Sequence, residues 1–238
     1  MNFAVIFAGG RGTRMKFGDK PKQFLEIDGK PILCHTLDRF EGHAWIDGII
    51  VVSNPDFMDE TKSLIQKNGY QKVIDVVVGG KNPIDSQYNG LLALNGIAKE
   101  NDVILLHDGV RPLIDGETIG KCIETTEKMG NAITVAPAIE TIALLNAEGM
   151  IDQTVARNKC MLARAPQAVK FGELMAYHER SIGEGVHNFI DTASMLLYYG
   201  ISLNVVLGSQ DNIKVTTISD YYTCKALLEM GKSDEKLY

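Results

Sequence analysis

The chain has 238 residues and a formal net charge of −6, with its acidic residues spread along the sequence, a balance that excludes a broad basic surface for nucleic acid. At 45% hydrophobic and 23% charged it is long enough to bury a sizeable core. Its four scattered cysteines form no CxxC pair, which excludes a disulfide framework or a zinc site. No apolar run approaches membrane-spanning length, and Met1–Ala8 is apolar without a basic leader, so a soluble, cytoplasmic setting with no membrane partner is expected. In chain order, Phe3–Ala8, Gly48–Ser53, Val73–Val78, Val103–His107 and Ala132–Ala136 read as buried strands rich in Val and Ile. Between them, Ile32–Phe40, Met58–Asn68, Ser86–Lys99 and Glu117–Met129 carry helical periodicity. That alternation predicts an α/β fold with a mostly parallel sheet and helices on both faces. Past Pro137 the pattern changes. Glu140–Val155, turning at Asn146-Ala147-Glu148-Gly149, reads as a projecting β-hairpin arm. Helices are expected again at Phe171–Arg180 and Phe189–Tyr199, strands at Leu203–Leu207 and Ile213–Thr216, and a last helix near Ser219–Met230. With no repeat or linker, residues 1–238 read as a single domain with an arm at about 138–157.

Directly after the first strand comes Ala8-Gly9-Gly10-Arg11-Gly12-Thr13-Arg14-Met15. In open α/β sheets, ligands bind where loops leave the carboxyl ends of strands, and glycines there let backbone N–H groups approach phosphate oxygens. The same glycines would also serve a plain tight turn. There is no Gly-Lys-Ser/Thr ending, and Gly18 and Pro21 interrupt the helix that a dinucleotide fingerprint requires. The spacing instead brings two cations, Arg14 and Lys22, to the loop or its rim. Two cations plus backbone donors suit a triphosphate, whose oxygens gain charge in the transition state. A proline before Lys22 and an aromatic after it point to a fixed position.

The second constellation is His107-Asp108-Gly109-Val110-Arg111-Pro112, at the end of the strand Val103–His107. Asp108 there can hold Mg²⁺ through its carboxylate, with nucleotide phosphates completing the shell. Arg111 can grip a phosphate in bidentate fashion, although the two residues would also serve as a turn aspartate and its arginine partner. His107, a lone histidine at a strand end, reads as packed rather than catalytic. The third is Asp211-Asn212-Ile213-Lys214-Val215-Thr216, where Lys214 points to the face opposite Ile213 and Val215, and the topology decides whether that face is solvent, as for most lysines, or the site. Arg157 and Asp191 are further candidates, each by itself no more than a surface charge.

In order along the chain, Ala8–Met15, Pro21–Leu25, Gly79-Gly80 with Ser86, His107–Pro112, Arg157, Pro166-Gln167 and Asn212–Thr216 make a set that resembles a known family: the cytidylyltransferases acting on 2-C-methyl-D-erythritol 4-phosphate and on ribitol 5-phosphate. The resemblance implies a Rossmann-like, nucleotide-diphospho-sugar transferase type of fold, a homodimer joined through the arm, Mg²⁺ or another divalent cation, and attack of a polyol phosphate on the α-phosphorus of CTP. It further implies that Ala8, Gly9 and Gly10 line the nucleotide while Gly80, Lys81 and Ser86 read cytosine. By the same resemblance, Arg14, Lys22 and Lys214 would carry the catalysis. Arg111, Thr141, Arg157 and Asp191 would bind the polyol phosphate, together with Lys214 and in part from the partner subunit. Asp108 would serve the metal. The five residues between Met15 and Pro21, and Val110 ahead of Arg111-Pro112, look more like the ribitol branch. Three departures bear on the polyol. Pro83 stands where the family usually has Arg, and Ala165 and Ile190 stand where it usually has Thr. Two other readings share parts of this pattern. One is a sugar-1-phosphate nucleotidyltransferase using another nucleotide, and the other is a catalytically silent nucleotide-binding homologue.

Overall fold

The computed structural model describes residues 1–10 and 21–234, with side chains to residue 231. Its elements run β1 (Asn2–Ala8), a small hairpin of β2 (Glu26–Ile27) and β3 (Lys30–Pro31), α1 (Ile32–Glu41), β4 (Gly48–Ser53), α2 (Met58–Asn68), β5 (Val73–Val78), α3 (Pro83–Leu92), β6 (Val103–Asp108), α4 (Gly116–Met129) and β7 (Asn131–Pro137). The arm follows as β8 (Ile142–Leu145) and β9 (Ile151–Val155). The chain then returns through β10 (Met161–Lys170), α5 (Phe171–Glu184), α6 (Thr192–Tyr198), β11 (Val205–Leu207) and α7 (Ile218–Asp234).

A central sheet holds the strands in the order β11-β7-β10-β6-β1-β4-β5. Its neighbours are parallel except at β10, which runs antiparallel to both β6 and β7. Period-two alternation decides which face each side chain enters. On one face Ala4, Ile6 and Ala8 meet Leu33, Leu37 and Phe40 of α1 and Ile119, Cys122 and Ile123 of α4. Phe3 and Val5 face the other way, toward Ile84 and Leu91 of α3 and Leu174 and Met175 of α5. Each such large side chain, fully buried, stabilises the fold by about 1.5–3 kcal/mol. Helix starts are fixed locally: Asn82 caps α3 with Pro83 in its first turn, Asp115 caps α4, and Asp191 with Ser194 forms a capping box on α6.

From β1 the chain moves outward through β4 and β5, then crosses back to β6 on the other side of β1. That reversal opens a crevice at the carboxyl ends of β1 and β6, the position at which open α/β sheets take ligands. A third cluster of Leu25, Ile27, Ile32, Val110, Val215, Cys224 and Leu228 packs beneath the loops beyond this edge. It holds together the segments around residues 25, 110 and 215.

The structure departs from the sequence expectation in four places. β10 has no counterpart among the strands read from the sequence. It contains Pro166 and few β-branched residues, and its ladder with β7 shifts register between Ala163 and Gln167, which accommodates the proline. Helix α3 spans Pro83–Leu92 rather than Ser86–Lys99, because Asn82-Pro83 starts it early and the Asn95-Gly96 turn (Gly96 φ 79°) follows it. Helix α6 begins only at Thr192, after its Asp191 cap. Finally, 213–216 joins no sheet among the described residues; a ladder-like bond runs from Val215 N–H to the Val110 carbonyl at 2.9 Å.

Candidate active site

Two sets of groups face each other across the crevice. The first is built mainly from backbone. β1 ends at Ala8, whose carbonyl accepts a bond from Gln23 Nε2 at 2.8 Å, while the Gly9 carbonyl accepts one from Asn54 Nδ2 at 3.3 Å. Buried Pro21, Gln23 and Phe24 anchor a short 3₁₀ turn that carries Lys22. A Cβ added at Gly10 would stand 3.5 Å from Lys22 Cε, so the lysine stem passes close over the glycine backbone. Opposite, the β5–α3 loop is held by Ser86, whose hydroxyl accepts from Gly80 N–H at 3.0 Å and donates to the Asn82 carbonyl at 2.9 Å. Gly80 is required there. Its Cβ would fall 2.2 Å from Asp85 Cβ and 2.7 Å from the Asp85 carbonyl carbon. The Ser86 hydroxyl therefore shapes this loop first, and a ligand would meet it as a preset group.

The second set is built from side chains. Asp108, at the end of β6, receives Lys214 Nζ on Oδ1 at 2.6 Å and Arg111 Nε on Oδ2 at 2.8 Å. Burial acts to raise its pKa, but attraction and hydrogen bonds from Lys214 and Arg111 outweigh burial and hold it at about 2. Arg111 also donates through Nη1 to the Asn212 carbonyl at 2.9 Å, and Asn212 Nδ2 donates to the Ala165 carbonyl at 2.7 Å. Asn212 thus ties the Lys214 segment to β10 and to Arg111. Beside them, His107 is 1% exposed and burial pushes its pKa down to about 4, so it is neutral at pH 7. Gln167 donates from Nε2 to Asp191 Oδ2 at 2.8 Å and accepts from Ala193 N–H at 2.9 Å, which fixes the start of α6 against β10.

Both sets line one cavity of about 580 Å³, a volume suited to a small organic ligand. It gathers nearly all the residues expected from the sequence: Ala8, Gly9, Gly10, Lys22, Gly80, Lys81, Ser86, Asp108, Arg111, Asp191 and Lys214. The three departures Pro83, Ala165 and Ile190 line it too. Arg14 lies outside the described residues. Thr141 and Arg157 are exposed, at the arm and just beyond it, and do not line the cavity within this chain. Among its described lining residues the cavity has five cations (Lys22, Lys81, Arg111, Arg164, Lys214) against two carboxylates (Asp108, Asp191), in a chain of net charge −6.

The sequence reading missed two contributors. Asn212 has no signal of its own in the sequence beyond a short polar residue leading into the alternating run Ile213–Val215, and its burial shows it to be the anchor of that loop. Arg164 gave no signal because its strand was not recognised. It enters the cavity where the ladder of β10 with β7 shifts register, with Nε buried and without a hydrogen-bond partner among the described residues.

A mostly parallel sheet flanked by helices, with a cation-rich crevice at its reversal point, is an architecture that suits a nucleotide-binding enzyme. The family model for 2-C-methyl-D-erythritol 4-phosphate cytidylyltransferase matches residues 2–230, and the chain belongs to that family of nucleotidyltransferases. It is 39% identical to a ribitol-5-phosphate cytidylyltransferase of Streptococcus agalactiae, over 100% of this chain and 99% of the relative. It is 36% identical to a 2-C-methyl-D-erythritol 4-phosphate cytidylyltransferase of Geobacter metallireducens, over 95% and 97% of the two chains. Among solved structures, the 4-diphosphocytidyl-2C-methyl-D-erythritol synthase of Anaerococcus prevotii superposes with a TM-score of 0.81 at 27% identity, covering 95% of each chain. No helix among the described residues is long and apolar enough to cross a membrane.

Proposed function

We propose that this chain is a CTP:polyol-phosphate cytidylyltransferase whose polyol phosphate is ribitol 5-phosphate. The observation that carries the reading is the surplus of cations over carboxylates lining one cavity at the sheet's ligand edge. Such a site suits two phosphorylated substrates meeting there. A phosphate oxygen of the polyol phosphate attacks the α-phosphorus of CTP, a new P–O–P linkage forms, and the α–β bridge breaks with its electron pair leaving on pyrophosphate. The attacking oxygen is already anionic, so no general base is needed and His107, neutral at pH 7, is spared that role.

In this reading Ala8, Gly9 and Gly10 receive the nucleotide phosphates, Gly80, Lys81 and Ser86 flank the base, and Arg14 and Lys22 stabilise the charge that builds on the triphosphate. Lys214, Arg111 and Asp191 face the polyol phosphate. An Mg²⁺ ion fits Asp108: the carboxylate stays ionised, and each oxygen keeps a lone pair beyond its bond to Lys214 or Arg111. When bound, the ion neutralises phosphate charge, most of its ligands coming from nucleotide and water. Residues 1–238 act as one nucleotidyltransferase domain. The arm docks two copies. It forms a sheet of its own and exposes Leu144, Leu145 and Ile151, and pairing would bury these and bring Thr141 and Arg157 to a partner's cavity.

The choice of ribitol 5-phosphate rests on the higher identity to the Streptococcus relative, on the length of the Met15–Pro21 loop and on Val110. 2-C-methyl-D-erythritol 4-phosphate is the second reading, favoured by the family model. A pyrophosphate-release panel with Mg²⁺, crossing CTP, UTP, ATP and GTP with both polyol phosphates, separates them. We expect release with CTP and ribitol 5-phosphate above all other pairs. Preference for methylerythritol phosphate selects the second reading, a purine nucleotide points to a different transferase, and silence throughout leaves a nucleotide-binding homologue.

A further inference from the structure

Arg164 differs from the other cations of the cavity in carrying a buried nitrogen that bonds to no described residue, whereas Lys81, which also lacks an ion pair among the described residues, is exposed. Lys214 and Arg111 share the Asp108 carboxylate at 2.6 and 2.8 Å, so their combined charge is partly cancelled. The other lining carboxylate, Asp191, is occupied by the Gln167 amide and by the backbone N–H of Ser194. Arg164 makes no ion pair and its side chain gives the fold no hydrogen bond among the described residues. Its Nε is nonetheless buried. Withdrawal from water, and then the like charge of Arg111, both act against its protonated form.

Topology explains how it gets there. β10 is antiparallel to β6, with Gln167 opposite Leu106, so the residues before Gln167 lie past the carboxyl end of β6, at the ligand edge. The shifted register between Ala163 and Gln167 takes Arg164 out of the ladder with β7. A guanidinium held between water and interior beside a second guanidinium costs free energy, and a bound anion offsets it most strongly. Its planar fork matches a phosphate monoester, a near-dianion at pH 7.

We propose that Arg164 is a substrate-binding, specificity-determining residue that clasps the phosphate monoester of the acceptor substrate from β10, alongside Arg111. The inference rests on the polyol-phosphate reading above and names the group that secures the acceptor. Arg164 then discriminates between phosphorylated and unphosphorylated polyols, while CTP is bound by the other wall.

Steady-state kinetics of Arg164→Met and Arg164→Lys test it, with thermal melts to verify folding. Loss of a charge-assisted, two-pronged contact is expected to raise KM for the polyol phosphate about 10- to 100-fold. KM for CTP should stay within about threefold, since no contact to the nucleotide is removed. Arg164→Lys should recover part of the loss. An unchanged polyol-phosphate KM, an equal rise for CTP, or a fall in kcat alone would overturn the proposal. Calorimetric titration with inorganic phosphate reads the same residue even if no acceptor is turned over. The wild type should bind phosphate more tightly than Arg164→Met by a comparable factor, and equal affinity would also overturn it. Silence of the wild type on every acceptor, with the phosphate difference intact, would strike the functional reading and spare Arg164.

Discussion

The two walls of the cavity are made in different ways. The wall of β1, Lys22 and the Gly79–Ser86 loop is local: each piece is a short run, and its shape comes from backbone and from missing side chains, as the 2.2 Å clash awaiting a Cβ at Gly80 makes plain. The wall of Asp108, Arg111, Arg164, Gln167, Asp191 and Lys214 is assembled from side chains far apart in sequence, joined by Asn212 and by Asp108's two ion pairs. A wall of backbone amides suits what every nucleotide substrate shares. A wall of side chains can change its acceptor one residue at a time, and two of the departures from the family pattern, Ala165 and Ile190, fall on it.

On that division the largest single loss comes from Lys22→Ala, a cation of the nucleotide wall. Turnover should fall about a hundred- to a thousandfold, the range for deleting one transition-state donor, with the melting temperature unchanged. Near-normal turnover would remove Lys22 from the chemistry. Next comes Asp108→Asn, which leaves Arg111 and Lys214 facing each other without their shared anion. Activity should drop at least about tenfold and stability by about 1–3 kcal/mol in a denaturant titration, the loss limited because Lys214 is 41% exposed. Because Asp108 stays ionised down to about pH 2, the pH–rate profile above pH 5 should owe nothing to it. Gly80→Ala should raise KM for CTP about tenfold and cost about 1–3 kcal/mol from overpacking, with the acceptor's KM held. Equal effects on both substrates would erase the distinction between the walls.

The last effect falls on stability alone, where α3 packs on α5. There His178 is fully buried, stacked 6.0 Å from the Tyr88 ring, with neither ring nitrogen bonded among the described residues. Burial pushes its pKa down from 6.5 to about 4. A histidine whose folded pKa is lowered contributes its full stability above the unfolded value and loses it as pH falls from 6.5 toward 4. By pH 5 the loss is about 2 kcal/mol from this residue, with His107 adding in the same direction. His178→Phe should flatten that decline in melts taken between pH 7 and 5, whereas an unchanged slope would show that His178 does not titrate against folding.

The same contrast explains what could be read in advance. β4, β5 and α2 matched their expected bounds to the residue, because Val/Ile runs and helical periodicity are local signals. Gly9, Gly10 and Lys22, which come together at the cavity, were legible for the same reason. β10 was not, since Pro166 and its small neighbours mimic a loop, and its place in the sheet is set by pairing with distant β6 and β7. With β10 went Arg164 and the role of Asn212. For Lys214, the alternation of Ile213 and Val215 foretold a side chain turned away from theirs. They pack with the cluster under the loops while Lys214 reaches Asp108, although no regular strand forms there.

Phosphorus-31 NMR of the wild-type protein with CTP, Mg²⁺ and ribitol 5-phosphate tests the central claim most directly. The phosphomonoester signal should decay as paired diphosphodiester resonances and free pyrophosphate grow in equal amounts. A monoester signal that persists while CTP stays intact, or while it is merely hydrolysed to CMP, would contradict an active site built to join the two phosphates.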